Sequence, residues 1–481
     1  MNPLTYVSMA LALAAAPAAP DVPRLLDTEV GRHAAAYLEA YGSGDDARLF
    51  VFCQEHMAPE ALERRPAEEV VEMARRLRGD FGALSLVRAT EEGAQGLRVR
   101  LHAEKGGAVA LIFEVQAKPP YLLTGIRAET FTSPGDEEEP LPPAPPRTQR
   151  ETVAVIQAYL DSLARAQAFS GVVRVTYHGR TLIEQAWGLA DRGLGLPNRV
   201  DTRFNLGSIN KIFTRTAIAQ LAQQGKLSLD QTVERWVPEL PPDVAARITI
   251  RKLLEHRSGL GDFFGPAYEA ADKAKLRTNA DFLPLFKDQP LLFEPGTKQR
   301  YSNGGYVVLG LVIERVSGEP YHDYVRRHIF KPAGMRSTDS YFKEARVPNR
   351  AIGYTRQRSS VGWPTNTDGL PARGSAAGGG YSTALDLERF IDALKHGRLL
   401  DARWSAWVFG GPAPGPETSP APALPLSAGG LGIAGGSPGM NAVVEADLGA
   451  DFCAVVLCNL DPPAAESVGR ALRVWLAAIR D

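Results

Sequence analysis

Between Pro134 and Pro146 the chain reads Asp136, Glu137, Glu138 and Glu139, then Pro140, Pro142, Pro143, Pro145 and Pro146. Like charges repel, and prolines fix φ while supplying no backbone N–H, so this stretch is expected to enter neither a helix nor a sheet and to stand extended. It divides the chain into parts that bury their apolar residues separately. At 481 residues the chain is also longer than one core usually spans. The expectation is a small accessory domain over 21–131, an acidic, proline-rich linker over 132–149 and a larger domain over 150–481.

Ahead of the linker, Ala34, Tyr37, Leu38 and Tyr41 mark one amphipathic helix, and Val70, Met73, Ala74 and Leu77 mark another at the same spacing. Strands follow. Leu97, Val99, Leu101 and Ala103 alternate with polar residues, Val109, Leu111, Phe113 and Val115 do so again, and a last strand is expected near Tyr121 to Ile126. Helices first and a meander after give an α+β module. This order resembles the cone-shaped fold of the nuclear-transport-factor-2 superfamily. The resemblance implies a cone that binds a small ligand, pairs with a copy of itself, or props a neighbouring domain, and it assigns no catalytic residue.

Residues 4–19 are small and apolar and end in Ala16-Pro17-Ala18-Ala19-Pro20. That reads as a signal peptide over 1–20 and a periplasmic or secreted protein. No Lys or Arg precedes Arg24, so an Ala-rich leader or a mis-assigned start is the other reading. The run is too short to span a bilayer, and no other integral membrane segment is expected. The 54 basic and 55 acidic residues nearly cancel, which argues against a nucleic-acid surface as the partner. Cys53, Cys453 and Cys458 are an odd set, the last two facing opposite sides of one predicted strand, so all three read as buried small apolar groups. The histidines show no His-x-x-x-His or Cys/His spacing, so no metal and no cofactor is expected.

After the linker, an amphipathic helix is expected near 151–166. Alternating Val173, Val175 and Tyr177, a His178-Gly179 turn and a strand from Thr181 to Trp187 follow. Phe452 to Cys458 is a fully apolar strand, and a helix from Ala464 to Ile479 closes the chain. The long middle, from about 210 to 400, is expected to be mostly helix and loop.

Within it, Gly207 precedes Ser208-Ile209-Asn210-Lys211, while Phe213, Ala217 and Leu221 recur at helical spacing and Gly225 sits where a helix stops. Ser208 therefore opens a helix, and Lys211, three residues on, shares its face. A hydroxyl is a poor nucleophile near neutral pH, and a lysine takes its proton only if burial or nearby charge lowers the amine pKa. Tyr301, in Tyr301-Ser302-Asn303, is a second candidate base.

These residues resemble the serine β-lactamase and penicillin-binding-protein superfamily, in its class C, family VIII carboxylesterase and D-aminopeptidase branch. The resemblance covers roughly 150–480. It rests on Arg203 to Lys211, Leu253-Leu254-Glu255-His256-Arg257-Ser258-Gly259-Leu260, Phe293-Glu294-Pro295-Gly296, Tyr301-Ser302-Asn303, Ala376 to Thr383 and Gly435-Gly436-Ser437-Pro438-Gly439, in family order. It implies an α/β domain whose antiparallel sheet is flanked by helices and closed by a mostly helical lobe, with the two terminal strands side by side. Ser208 would attack a carbonyl to form an acyl-enzyme, and Lys211 and Tyr301 would share its proton. Asn303 would hold the substrate, and the N–H groups of Ser208 and Gly436, with Gly435 beside them, would receive the oxyanion. Positive charge from Lys211 and Arg300 would lower the Tyr301 pKa. His256 is expected to be a hydrogen-bonded loop residue and no base.

One position departs from the family pattern. Ile433-Ala434-Gly435 begins with isoleucine where the family usually places lysine, histidine or tryptophan, and a carboxylate left there without a donor costs several kcal/mol in principle. Ser427-Ala428-Gly429 is the alternative register. The readings are a serine hydrolase for neutral esters or amides, acting on a small-molecule or peptide-like acyl substrate; a β-lactamase, D-Ala-D-Ala carboxypeptidase or D-aminopeptidase; and a non-catalytic ligand-binding protein. Substrate identity and oligomeric state have no readable code here.

Overall fold

The computed structural model describes residues 27–92, 95–104, 108–131, 146–356, 362–412 and 430–480. The expected signal peptide, most of the linker and the Ser427–Gly429 register lie outside these residues. Contacts divide the chain into two units between residues 129 and 130.

The first unit begins with α1 (Glu29–Gly42), α2 (Asp46–His56), α3 (Pro59–Arg64) and α4 (Ala67–Phe81). Thr28 caps α1 and Asp45 caps α2, each side-chain oxygen accepting a first-turn backbone N–H. Strands β1 (Leu84–Glu92), β2 (Gly96–Ala103), β3 (Ala108–Val115) and β4 (Leu123–Phe131) follow as one sheet in sequential order. Tyr37 lies in the core with its ring edge-on to Phe52 and Phe113. The expected helices are α1 and α4, and the expected strands are β2 to β4. Helices α2 and α3 and strand β1 are additions. Leu49 to Cys53 form a continuous apolar run without helical period, and the polar half of β1 gives no alternation to read.

The second unit opens with α5 (Gln149–Arg165), started by a reciprocal capping box between Thr148 and Glu151. β5 (Gly171–Tyr177) and β6 (Arg180–Trp187) are joined at His178 and Gly179, with φ of +47° and +71°, as a right-twisted two-residue hairpin demands. Then come α6 (Lys211–Gln223), α7 (Asn303–Ser317) and α8 (Ala384–Lys395), with loops and short helices between them. The chain returns through β7 (Gly430–Ser437), β8 (Met440–Asp447), β9 (Phe452–Cys458) and α9 (Ala464–Ala478).

These strands form an antiparallel sheet in the order β7-β8-β9-β5-β6. Strands from the two ends of the domain meet as expected, with Val456 opposite Val173. β5 is buried on both faces rather than one: Val173 and Val175 pack under α5 and α9 with Leu160, Leu472 and Trp475, while Val172 faces the core of Phe213, Val308 and Phe390. Cys53, Cys453 and Cys458 are free and buried, and burial pushes the last two thiols up to about 12. Among the described residues, β7 is an edge strand of this sheet.

Candidate active site

Gly207–Asn210 forms one turn of 3₁₀ helix that runs directly into α6. Gly207 takes a φ of +49°, a conformation open to glycine, and its N–H is held by Asn205 Oδ1 at 3.0 Å. Residues three apart eclipse in a 3₁₀ turn, so Ser208 and Lys211 project side by side, with Lys211 Nζ 3.3 Å from Ser208 Oγ.

Lys211 is 7% exposed. Its Nζ lies 2.7 Å from Asn303 Oδ1 and 2.5 Å from the Ala377 carbonyl, and burial lowers its pKa to about 7, with the charge of Asp262 opposing the shift. A neutral amine has two N–H bonds and one lone pair. Two fixed acceptors take the N–H bonds, so the lone pair is the part of Lys211 that faces Ser208.

Tyr301 Oη donates to Ser208 Oγ at 2.6 Å. The expected lowering of its pKa is corrected: burial and the Asp262 carboxylate push it up, only partly offset by the bond to Ser208. Lys211 lies 4.8 Å from the ring centroid, and as a half-neutral amine it supplies little of the charge that a phenolate needs. Half of Tyr301 is exposed, so burial acts on it more weakly than on Lys211. The phenol is therefore a donor near neutral pH.

His256 sits in the loop role expected of it. Its Nδ1 accepts the Ser302 N–H at 3.2 Å, its ring lies 4.6 Å from that of Tyr301, and burial lowers its pKa to about 4, so it is neutral.

Asn303 stands at the start of α7, where Ser302 caps the helix. Its Oδ1 meets Lys211, and its Nδ2 donates to Asp262 Oδ2 at 2.6 Å, leaving one amide N–H for a ligand. Two members of this set escaped the sequence reading. Asp262 has no signature beyond its place three residues after Gly259, and Ala377, though within the Ala376 to Thr383 signature, is given no role there because it acts through its carbonyl, which no side-chain motif encodes.

Strand β7 completes the site. Ile433 pairs with Val444 and Gly435 with Ala442. A Cβ on Gly435 would fall 2.1 Å from the Leu206 carbonyl and 2.8 Å from the Ser208 nitrogen, and one on Gly207 would fall 3.0 Å from the Gly436 nitrogen. Only glycine permits this approach of the sheet edge to the serine turn, which brings the Ser208 and Gly436 nitrogens beside one another. The strand runs through Ser437, and Pro438 and Gly439 form the turn to β8. Among the described residues no cluster of three His, Cys, Asp or Glu suits a metal ion, and no helix is long and apolar enough to cross a membrane.

The family model described as Beta-lactamase matches residues 154–479, and the chain belongs to that family. It is 34% identical over 255 residues to Penicillin-binding protein 4* of Bacillus subtilis (strain 168), covering 50% of this chain and 55% of that protein. It is 37% identical over 218 residues to Esterase EstB of Burkholderia gladioli, covering 42% and 54%. The D-amino acid amidase structure from Ochrobactrum anthropi SV3 superposes with a TM-score of 0.55 at 26% identity, covering 69% of this chain and 98% of that one. The chain thus spans about half the length of the two sequence relatives. Family and fold, with esterase and amidase relatives, are consistent with a serine hydrolase.

Proposed function

We propose that the protein is a serine hydrolase that cleaves a neutral ester or amide through an acyl-enzyme on Ser208. The observation that supports this best is the Lys211 amine, held by two acceptors 3.3 Å from Ser208 Oγ in a buried site that lowers its pKa to about 7. In this reading Lys211 takes the Ser208 proton as Oγ attacks the carbonyl. Tyr301 holds Oγ by its phenol and passes a proton to the leaving group as it regains the one that Lys211 took from Ser208, so both side chains end in their starting forms. The N–H groups of Ser208 and Gly436 receive the oxyanion, supported by the positive end of the helix that Ser208 opens. The similarity to an esterase and to a D-amino acid amidase supports acyl transfer, and Ile433 supports a substrate with no carboxylate beside the scissile bond.

A fluorophosphonate probe or p-nitrophenyl butyrate tests it. The expected result is a covalent mass increase on Ser208 and ester turnover that Ser208→Ala abolishes. Turnover unchanged in Ser208→Ala, or no adduct with either reagent, overturns the proposal. A β-lactamase or D-alanyl peptidase reading draws on the similarity to Penicillin-binding protein 4*. Rapid cleavage of nitrocefin or a D-alanyl-D-alanine peptide would favour it.

A further inference from the structure

We propose that Asp262 is a positioning residue of this site: it fixes the Asn303 amide so that its oxygen faces Lys211, and it places a negative charge behind that amide. The inference rests on the serine-hydrolase reading above and goes beyond it.

An asparagine side chain has a donor end and an acceptor end, and its orientation is decided by what surrounds it. An ionised carboxylate only accepts. With Asp262 Oδ2 2.6 Å from one end of the Asn303 amide, that end must be the NH₂, and Oδ1 is forced toward Lys211 at 2.7 Å. The carboxylate is itself held in place. Its Oδ1 accepts the Phe264 N–H at 3.0 Å, and its Oδ2 also accepts the backbone N–H of Asn303 at 3.3 Å. Backbone on both sides thus clamps Asp262, Asp262 clamps Asn303, and Asn303 with the Ala377 carbonyl clamps Lys211.

The same carboxylate acts on Lys211 through its field. Burial drives the amine toward its neutral form, and the negative charge of Asp262 holds part of the proton affinity back. Other groups near Lys211 do not compete in the neutral range. His256 titrates near 4, Tyr306, with its ring centroid 5.4 Å from Nζ, is pushed up to about 12, and Tyr301 is shifted upward. Ser208 is uncharged. Removing the Asp262 charge therefore lowers the Lys211 pKa, and the acid limb of activity moves to lower pH.

Two variants separate geometry from charge. Asp262→Asn keeps the side-chain shape and one oxygen, which can still accept from Asn303, gives up the bond from the Phe264 N–H, and removes the charge. Asp262→Ala removes both. With p-nitrophenyl butyrate, the expected result for Asp262→Asn is an acid limb of kcat/KM displaced downward by roughly one pH unit with its plateau held within a few-fold. For Asp262→Ala the same displacement is joined by a fall in kcat of about ten- to a hundredfold, with KM nearly unchanged. An acid limb in Asp262→Asn that coincides with that of the unaltered protein overturns the inference, as does an upward displacement. Both leave the hydrolase reading intact, because that reading is decided by the Ser208 adduct and by turnover in Ser208→Ala.

Discussion

Lys211 Nζ lies 2.7 Å from Asn303 Oδ1, a hydrogen bond that joins the first residue of α6 to the first residue of α7. Both helices are buried along most of their length, so the two groups are held by rigid elements. If Asn303 serves chiefly to orient the amine, Asn303→Ala lowers kcat by about ten- to a hundredfold and leaves KM within about threefold. A rise in KM at unchanged kcat would instead make Asn303 a substrate-holding residue, as the family resemblance implies. Steady-state kinetics on a neutral p-nitrophenyl ester distinguishes the two.

The pH profile follows from the Lys211 amine. The active form is deprotonated and its pKa is about 7, so kcat/KM is lost as pH falls through 7 and reaches a plateau above about 8. Tyr301 is shifted upward from 10.0, so the plateau continues through pH 9. Tyr301→Phe is expected to lower the plateau by about 10²-fold while leaving the midpoint of the acid limb in place. An acid limb that reaches no plateau until above pH 10, abolished in Tyr301→Phe, would move the role of base to the phenol.

Much of this site was legible in the chain, for identifiable reasons. Ser208 and Lys211 announce themselves by spacing, because three residues along a helical turn fix a shared face whatever the surroundings. Gly435 announces itself by chemistry, because no other residue there lets a sheet edge meet a helix start so closely. The ionisation of Tyr301 was not legible. It depends on whether its neighbour Lys211 is charged, and that depends on burial by residues from three distant segments. Asp262 was invisible for a related reason: its partner is forty-one residues away, and only the fold brings them together. In the first unit, Leu49 to Cys53 left helix and strand equally open until packing against α4 decided it.

Burying Lys211 also has a thermodynamic signature. Its folded pKa of about 7 lies below the unfolded value of 10.5, so between these values the unfolded chain binds the extra proton. The destabilisation is fully developed below pH 7, shrinks as pH rises, and is gone above about 10.5. At about 1.4 kcal/mol per unit it amounts to a few kcal/mol at neutral pH. The expected outcome is that the wild-type protein gains stability relative to Lys211→Met between pH 7 and pH 10. All six tryptophans lie in the second unit, so urea titrations followed by tryptophan fluorescence report on it selectively. A difference between the two proteins that stays constant over this range would mean that Lys211 keeps its proton on folding.

Ile433 tests the link between the sheet edge and substrate choice. It lies two residues before Gly435 on β7, and side chains two apart in a strand share a face, so Ile433 points to the side on which Gly435 meets the serine turn. It is only partly buried there, against apolar neighbours. An anionic group seated beside it loses water and gains no donor, whereas an alkyl or aryl group loses nothing. Ile433→Lys supplies the cation at the cost of some apolar packing. The ratio of kcat/KM for a carboxylate-bearing substrate such as nitrocefin to that for a neutral p-nitrophenyl ester is expected to rise about tenfold, the equivalent of about 1.4 kcal/mol for a partly solvated charge pair. Measuring both substrates on the same preparation cancels any general loss of activity from the substitution. An unchanged ratio would place the substrate's flank away from this edge and remove Ile433 as the reason for a neutral substrate.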